Sequence, residues 1–158
     1  MSSTHAVRTC LWFTRGGLEA AQRYVALLPD SAIESPTGGD GEPMIVLFRL
    51  NGAPFSILNG GPHYTLSPAA SIVVTTPDQA ETDRLWAALC EGGTPSRCGW
   101  LVDRFGVSWQ IVPEALHRLL GAEDRAAAGR AMQAMLKMGK LDVAVLEAAF
   151  RGATEDEA

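Results

Sequence analysis

The sequence predicts an α+β protein made of two βαβββ modules followed by helices, and three observations carry that expectation. The order strand, helix, strand, strand, strand occurs over about residues 6–62 and starts again over 68–113. Parts of the two copies superpose residue by residue. After Pro113 the apolar residues recur at helical spacing to Phe150, so residues 1–113 are read as paired modules and 114–158 as a helical extension.

In the first module Val7 to Phe13 is an apolar run read as a strand, broken by Gly16-Gly17. Leu18, Ala21, Tyr24, Val25 and Leu28 then recur at helical spacing up to Pro29. Ser31 to Thr37 forms a short expected strand before a Gly- and Asp-rich turn. Met44 to Leu50 and Ala53 to Asn59 flank Asn51-Gly52, the strongest hairpin signal in the chain. In the second module Ala69 to Thr75 reads as a strand, and Thr76-Pro77-Asp78 opens a helix with a cap followed by Pro. That helix carries Leu85, Trp86, Leu89 and Cys90 on one side and stops at Gly92-Gly93. Thr94 to Cys98, Gly99 to Arg104 and Val107 to Val112 complete the second set of strands.

A shift of 61 places Arg23, Ala26 and Leu28 on Arg84, Ala87 and Leu89, and Cys10 on Ser71. A shift of 54 places Gly52, Phe55, Ser56 and Ile57 on Gly106, Trp109, Gln110 and Ile111. Helices are expected over Glu114–Leu120, Glu123–Met138 and Leu141–Phe150. Met132, Met135 and Met138 stand on one stripe of the second of these and read as core or interface filler.

The apolar share of 47% and charged share of 20% are those of a globular chain rather than a disordered one. A net charge of −5 with basic residues scattered singly argues against a nucleic-acid partner. No apolar run approaches the ~18–20 residues of a membrane span, and no signal-peptide pattern follows Met1. Cys10, Cys90 and Cys98 lack CxxC spacing and read as free thiols, so the expected location is cytoplasmic.

Leu11-Trp12-Phe13, Leu58-Asn59-Gly60-Gly61-Pro62, the long stretch from Cys98 to Gln110, and Met132–Met138 followed by Lys140-Leu141-Asp142 support a family assignment. Together they resemble the PhnB-like branch of the vicinal-oxygen-chelate superfamily, which includes glyoxalases, bleomycin-resistance proteins and extradiol dioxygenases. The resemblance implies eight strands in a concave mixed sheet around a pocket, and a homodimer. Many members of this branch carry a 3-demethylubiquinone methyltransferase label. A nucleoside-type methyl donor is usually held by a glycine-rich strand-to-helix loop in a parallel sheet, and Gly16-Gly17 is too short a signal for one.

The resemblance also locates four places where metal-dependent relatives carry ligands: Cys10, Ser56, Ser71 and Gln110. None is His, Asp or Glu, so no metal and no other cofactor is expected. His5, His63 and His117 lie elsewhere. Strand alternation puts Arg8, Cys10 and Trp12 on one face, Ser56 with Leu58, Ser71 with Val73, and Ser108 with Gln110. The opposite face carries Leu11, Phe13, Phe55, Ile57, Ile72, Val74, Val107, Trp109 and Ile111, which should pack under helices. The expected ligand pocket is therefore Arg8, Cys10, Trp12, Ser56, Leu58, Ser71, Ser108 and Gln110, with Cys10 at its floor. This mixed apolar and polar surface suits a metal-free protein that binds a small molecule. The alternative is a metal-independent enzyme, whose base would have to be Cys10, beside Arg8, or Asp103. Asp103 reads more simply as a turn residue, and no catalytic residue is assigned.

Overall fold

The computed structural model describes residues 7–35 and 41–153. The chain divides into two compact units, Met1–Leu66 and Ser67–Ala158. In the first, β1 (Thr9–Phe13), α1 (Gly17–Leu27), β2 (Ala32–Ile33), β3 (Ile45–Leu50) and β4 (Ala53–Asn59) follow in the expected order. They form a four-stranded sheet in the order β1-β4-β3-β2, with β1 parallel to β4 and the other pairs antiparallel. Val7 lies outside β1 and is 81% exposed. Pro36 and Thr37, at the end of the expected second strand, lie outside the described residues. Asn51 and Gly52 both take positive φ (45° and 78°), as a tight hairpin turn between twisted strands requires.

One face of this sheet packs under α1. Leu11, Phe13, Val46, Phe48, Leu50 and Ile57 are buried there, opposite Ala20, Ala21 and Tyr24 of the helix. Phe55 is half-buried and stacks on Phe48 across the strand pair, with ring centroids 5.6 Å apart. Gly17 is needed for close approach: a Cβ there would lie 2.4 Å from Ile57 Cγ2, so a side chain would push α1 off the sheet.

The second unit repeats the topology with β5 (Ile72–Thr76), α2 (Gln79–Cys90), β6 (Thr94–Pro95), β7 (Trp100–Val102) and β8 (Ser108–Pro113). Its sheet order is β5-β8-β7-β6, again with the first and last strands parallel. Leu101, Trp109 and Ile111 are buried on the face covered by α2, with Leu85 and Leu89 opposite. Ile72 and Val74, expected in this core, are only half-buried, because β5 is the sheet's edge strand. Pro77 precedes the cap of α2 rather than following it. Asp78 is the N-cap and accepts from Glu81 N at 2.8 Å. Strand β5 begins at Ile72, not at Ala69, since Ser67 to Ala70 turn on themselves through Ala70 N donating to Ser67 O.

The register corrects one detail of the repeat. Cys10 pairs with Ser56, whereas Gln110, the counterpart of Ser56, pairs with Val73. Val73 rather than Ser71 thus holds the place of Cys10, an offset of 63 for the strand against 61 for the helix. Three residues separate β1 from α1 and two separate β5 from α2, so the second connection is tighter. An offset of two leaves the face unchanged.

After β8 come α3 (Glu114–Leu120), α4 (Arg125–Leu136) and α5 (Val143–Arg151), with Asp124 and Asp142 as N-caps of the last two. Val112, Leu116, Leu119, Ala131, Leu141 and Leu146 form their shared core. The methionine stripe of α4 is not its buried face. Ala127, Ala128 and Ala131 are buried, Met132 is 38% exposed, and only Met135 and Met138 pack against the cluster. Small alanines let α4 approach its neighbours closely, which pushes the longer side chains to the flanks.

The connection between α4 and α5 is tied to α2. Gln79 in α2 donates to Leu141 O and accepts from Val143 N, at 3.0 and 2.8 Å. Lys140 lies 2.6 Å from Asp83, and with Gln79 it holds that carboxyl below the ordinary Asp range. No helix among the described residues is long and apolar enough to cross a membrane.

Candidate small-molecule site

Each sheet has a second face, opposite its α1 or α2, and the expected pocket residues fall on these two faces. Arg8, Cys10, Trp12, Ser56 and Leu58 lie along the first, where β1 and β4 run side by side with Cys10 level with Ser56 and Trp12 level with Leu58. Ser71, Ser108 and Gln110 lie on the second.

On the first sheet the side chains largely satisfy one another. Arg8 Nη2 sits 2.7 Å from Glu34 Oε2, while its Nη1 donates to the carbonyls of Phe48 and Phe55. Arg49 joins the same carboxylate at 3.6 Å. Arg8 is therefore a brace across β2, β3 and β4 rather than a free cation. At the other end, Trp12 Nε1 donates to Gly61 O at 2.9 Å, and Tyr64 meets the indole edge-on at 4.9 Å. The indole lies flat over Gly60, where a Cβ would fall 2.3 Å from Trp12 Cζ2. This is the physical role of the Leu58–Pro62 motif: it makes room for Trp12. Between the two ends Cys10 is exposed.

The second sheet carries a cavity of about 410 Å3. Trp100, Leu101 and Val102 of β7 and Ser108 of β8 line it from the sheet, Ser96, Arg97 and Cys98 from the β6–β7 connection, and Pro68 from the segment before β5. Ser108 is 3% exposed, and its Oγ is buried without a hydrogen-bond partner. Leaving a buried hydroxyl unpaired costs about 1–3 kcal/mol. Beside it, in register between Val73 and Trp100, Gln110 donates to Ser71 Oγ at 2.8 Å.

The cavity wall owes its position to the helical extension. Cys98 and Gly99 adopt positive φ (57° and 82°), and their amides donate to Met138 O and Gly139 O, both at 2.8 Å. A Cβ on Gly99 would lie 2.7 Å from Ile111 O, which explains glycine in the Cys98-Gly99-Trp100 stretch. Sequence reasoning missed Trp100, Val102 and the Ser96–Cys98 wall. The alternation of Trp100 and Val102 around buried Leu101 was an available signal for the first two; the wall had none.

Asp103 is a structural carboxylate. It is 6% exposed and accepts from Phe105 N, Val107 N and Trp109 Nε1 at 2.9, 3.0 and 2.9 Å, which fixes the β7–β8 turn and the indole together. His63 and His117 are exposed, and His5 lies outside the described residues. Cys10, Ser56 and Gln110, with Val73 in the fourth place by register, offer no imidazole or carboxylate. Among the described residues no group of three or more His, Cys, Asp or Glu could hold a metal ion. The donor chemistry does not fit the metal that the superfold can carry.

Residues 5–112 match the model of the family described as 3-demethylubiquinone-9 3-methyltransferase. A PhnB protein of Bacillus cereus is 28% identical and superposes with a TM-score of 0.63 over 69% of this chain and 99% of its own. A protein of Pseudomonas aeruginosa, 24% identical, has the same fold with a TM-score of 0.57 over 70% and 98% of the two chains. A glyoxalase/bleomycin resistance protein of Albidiferax ferrireducens is 16% identical, with a TM-score of 0.48 over 68% and 96%. No curated protein matches.

Proposed function

The chain belongs to the 3-demethylubiquinone-9 3-methyltransferase family, in the PhnB-like branch of the glyoxalase and bleomycin-resistance superfamily, and on that premise we propose that it binds a small organic molecule without a catalytic metal. The observation that carries this reading is the cavity itself, walled by Trp100 and Val102 with Ser96, Arg97 and Ser108 as its polar lining. The cavity volume lies within the range of small-molecule sites, and an apolar wall with a few polar groups is their usual character.

Catalysis by acid and base would need a free titratable group at this site. Asp103 is occupied by three hydrogen bonds and does not line the cavity, which leaves the Cys98 thiol as the titratable group beside Arg97 in its wall. The methyl transfer in the family's description is not part of the proposal. At the start of α1, Gly16 N donates to Glu42 and Gly17 N to Asn59 Oδ1, so neither amide is open to a donor nucleotide.

Native mass spectrometry of the protein as purified tests the reading, with the rate of Cys98 alkylation as the second measure. A retained or added small molecule should slow Cys98, in the cavity wall, and leave exposed Cys10 unchanged. A bound molecule that protects Cys10 and not Cys98 would place the site elsewhere and overturn the assignment.

A further inference from the structure

We propose that the ligand of this cavity is a planar aromatic carboxylate, whose ring lies on Trp100 and whose carboxylate pairs with Arg97. The inference rests on the cavity being the ligand site and adds the chemical class. Of the residues lining the cavity, Arg97 is the one cation and none is acidic. Arg97 has no side-chain partner among the described residues, unlike Arg8, Arg84 and Arg118, which are each held by a glutamate. A lone guanidinium at the mouth of an apolar cavity suits one carboxylate, which it can engage through two parallel N–H donors. A phosphate dianion would call for more positive charge than one side chain supplies.

Trp100 supplies the flat partner for a ring. It is half-buried on the open face of β7, flanked in register by Gln110, and forms part of the cavity wall. Offset stacking on an indole favours a planar aromatic over a flexible chain. Ser108, on β8, belongs to the same wall and is 3% exposed. The three groups belong to two strands and the connection between β6 and β7, and that connection is pinned at Cys98 and Gly99 by the carbonyls of Met138 and Gly139. The arrangement is thus set before a ligand arrives, which limits the ordering cost of binding.

The test uses a matched pair of probes, 2-naphthoate and 2-naphthamide, titrated into the full chain while the Trp100 indole N–H signal is followed by NMR. A Trp100→Phe variant identifies that signal among the four tryptophans. We expect the naphthoate to bind at least about tenfold more tightly than the amide, and Arg97→Gln to erase the difference. Lys137→Gln serves as control, since Lys137 lies beside a separate groove between α4 and α5, and it should leave both affinities unchanged. Equal binding of the two probes, or a preference that survives Arg97→Gln, overturns the carboxylate assignment while the cavity reading stands. Loss of the preference in Lys137→Gln alone moves the anion to the other groove and also overturns it. No change at Trp100 with either probe overturns this inference, whereas the cavity reading itself falls only if a bound molecule fails to protect Cys98.

Discussion

Replacing Trp109 and its neighbour Gln110 separately by alanine tests which way β8 faces, and with it the whole site. Trp109 is 1% exposed in the core under α2, and its indole N–H donates to Asp103 Oδ2 at 2.9 Å. Truncating a buried aromatic to alanine costs about 3–5 kcal/mol. A hydrogen bond to a charged acceptor is worth a further ~1.5–3 kcal/mol, and the two losses overlap because Asp103 can recruit water once the cavity opens. The expected cost is on the order of 5 kcal/mol, close to the whole stability of a domain at the lower end of the usual ~5–15 kcal/mol. Trp109→Phe keeps most of the volume and loses the donor, which brings the change into a measurable range of about 1.5–3 kcal/mol. Gln110→Ala removes one neutral hydrogen bond to Ser71 from a half-buried position and should cost only about 0.5–1.5 kcal/mol. Urea unfolding followed by far-UV circular dichroism reads the difference. With a slope of about 1–3 kcal/mol per molar urea, Trp109→Ala should lower the midpoint by roughly 2 M or abolish the transition, and Gln110→Ala by about 0.5 M. Equal shifts, or a larger one for Gln110→Ala, would mean that β8 is turned over and that Ser108 faces the core rather than the cavity.

Ser108→Ala should leave the ligand-free protein as stable as before or raise it by about 1 kcal/mol, since it deletes an unpaired buried hydroxyl; a loss above that, in the same urea assay, would show a partner for Ser108. Asp83 should titrate below the ordinary Asp value of 3.8, because Lys140 and Gln79 bond its charged form. Its folded value being depressed, the stability it lends is present above that ordinary value and is lost as pH falls through the folded one; Lys140→Gln should move the carboxyl back up in a carbon-13 titration. Cys90, pushed up by burial, should react with a thiol reagent at neutral pH more slowly than exposed Cys10 in peptide mapping. Light scattering should give a homodimer rather than the 16.8 kDa of one chain, and elemental analysis of chelator-free protein should show less than one equivalent of transition metal.

The sequence by itself determined the element order, the Asn51-Gly52 hairpin and most of the core. Each rests on a local rule. Asn51-Gly52 must turn because both residues tolerate positive φ, and Leu11, Phe13, Ile57, Trp109 and Ile111 must share a core because strand side chains alternate. The facing of Ser108 and Gln110 was legible for the same reason. The registers were not. They are set by backbone pairing between strands distant in the chain, which makes Val73 rather than Ser71 the counterpart of Cys10. Nor could the sequence show that Arg8 would be consumed by Glu34, a partner from another strand region, or that alanines rather than methionines would face inward on α4. The cavity was decided by tertiary structure alone. Its wall at Arg97 and Cys98 stands where it does because backbone carbonyls about forty residues away, at Met138 and Gly139, accept its amides. Backbone pairing of that kind leaves no mark on side-chain patterning, so only the folded chain could bring Arg97, Trp100 and Ser108 around one space.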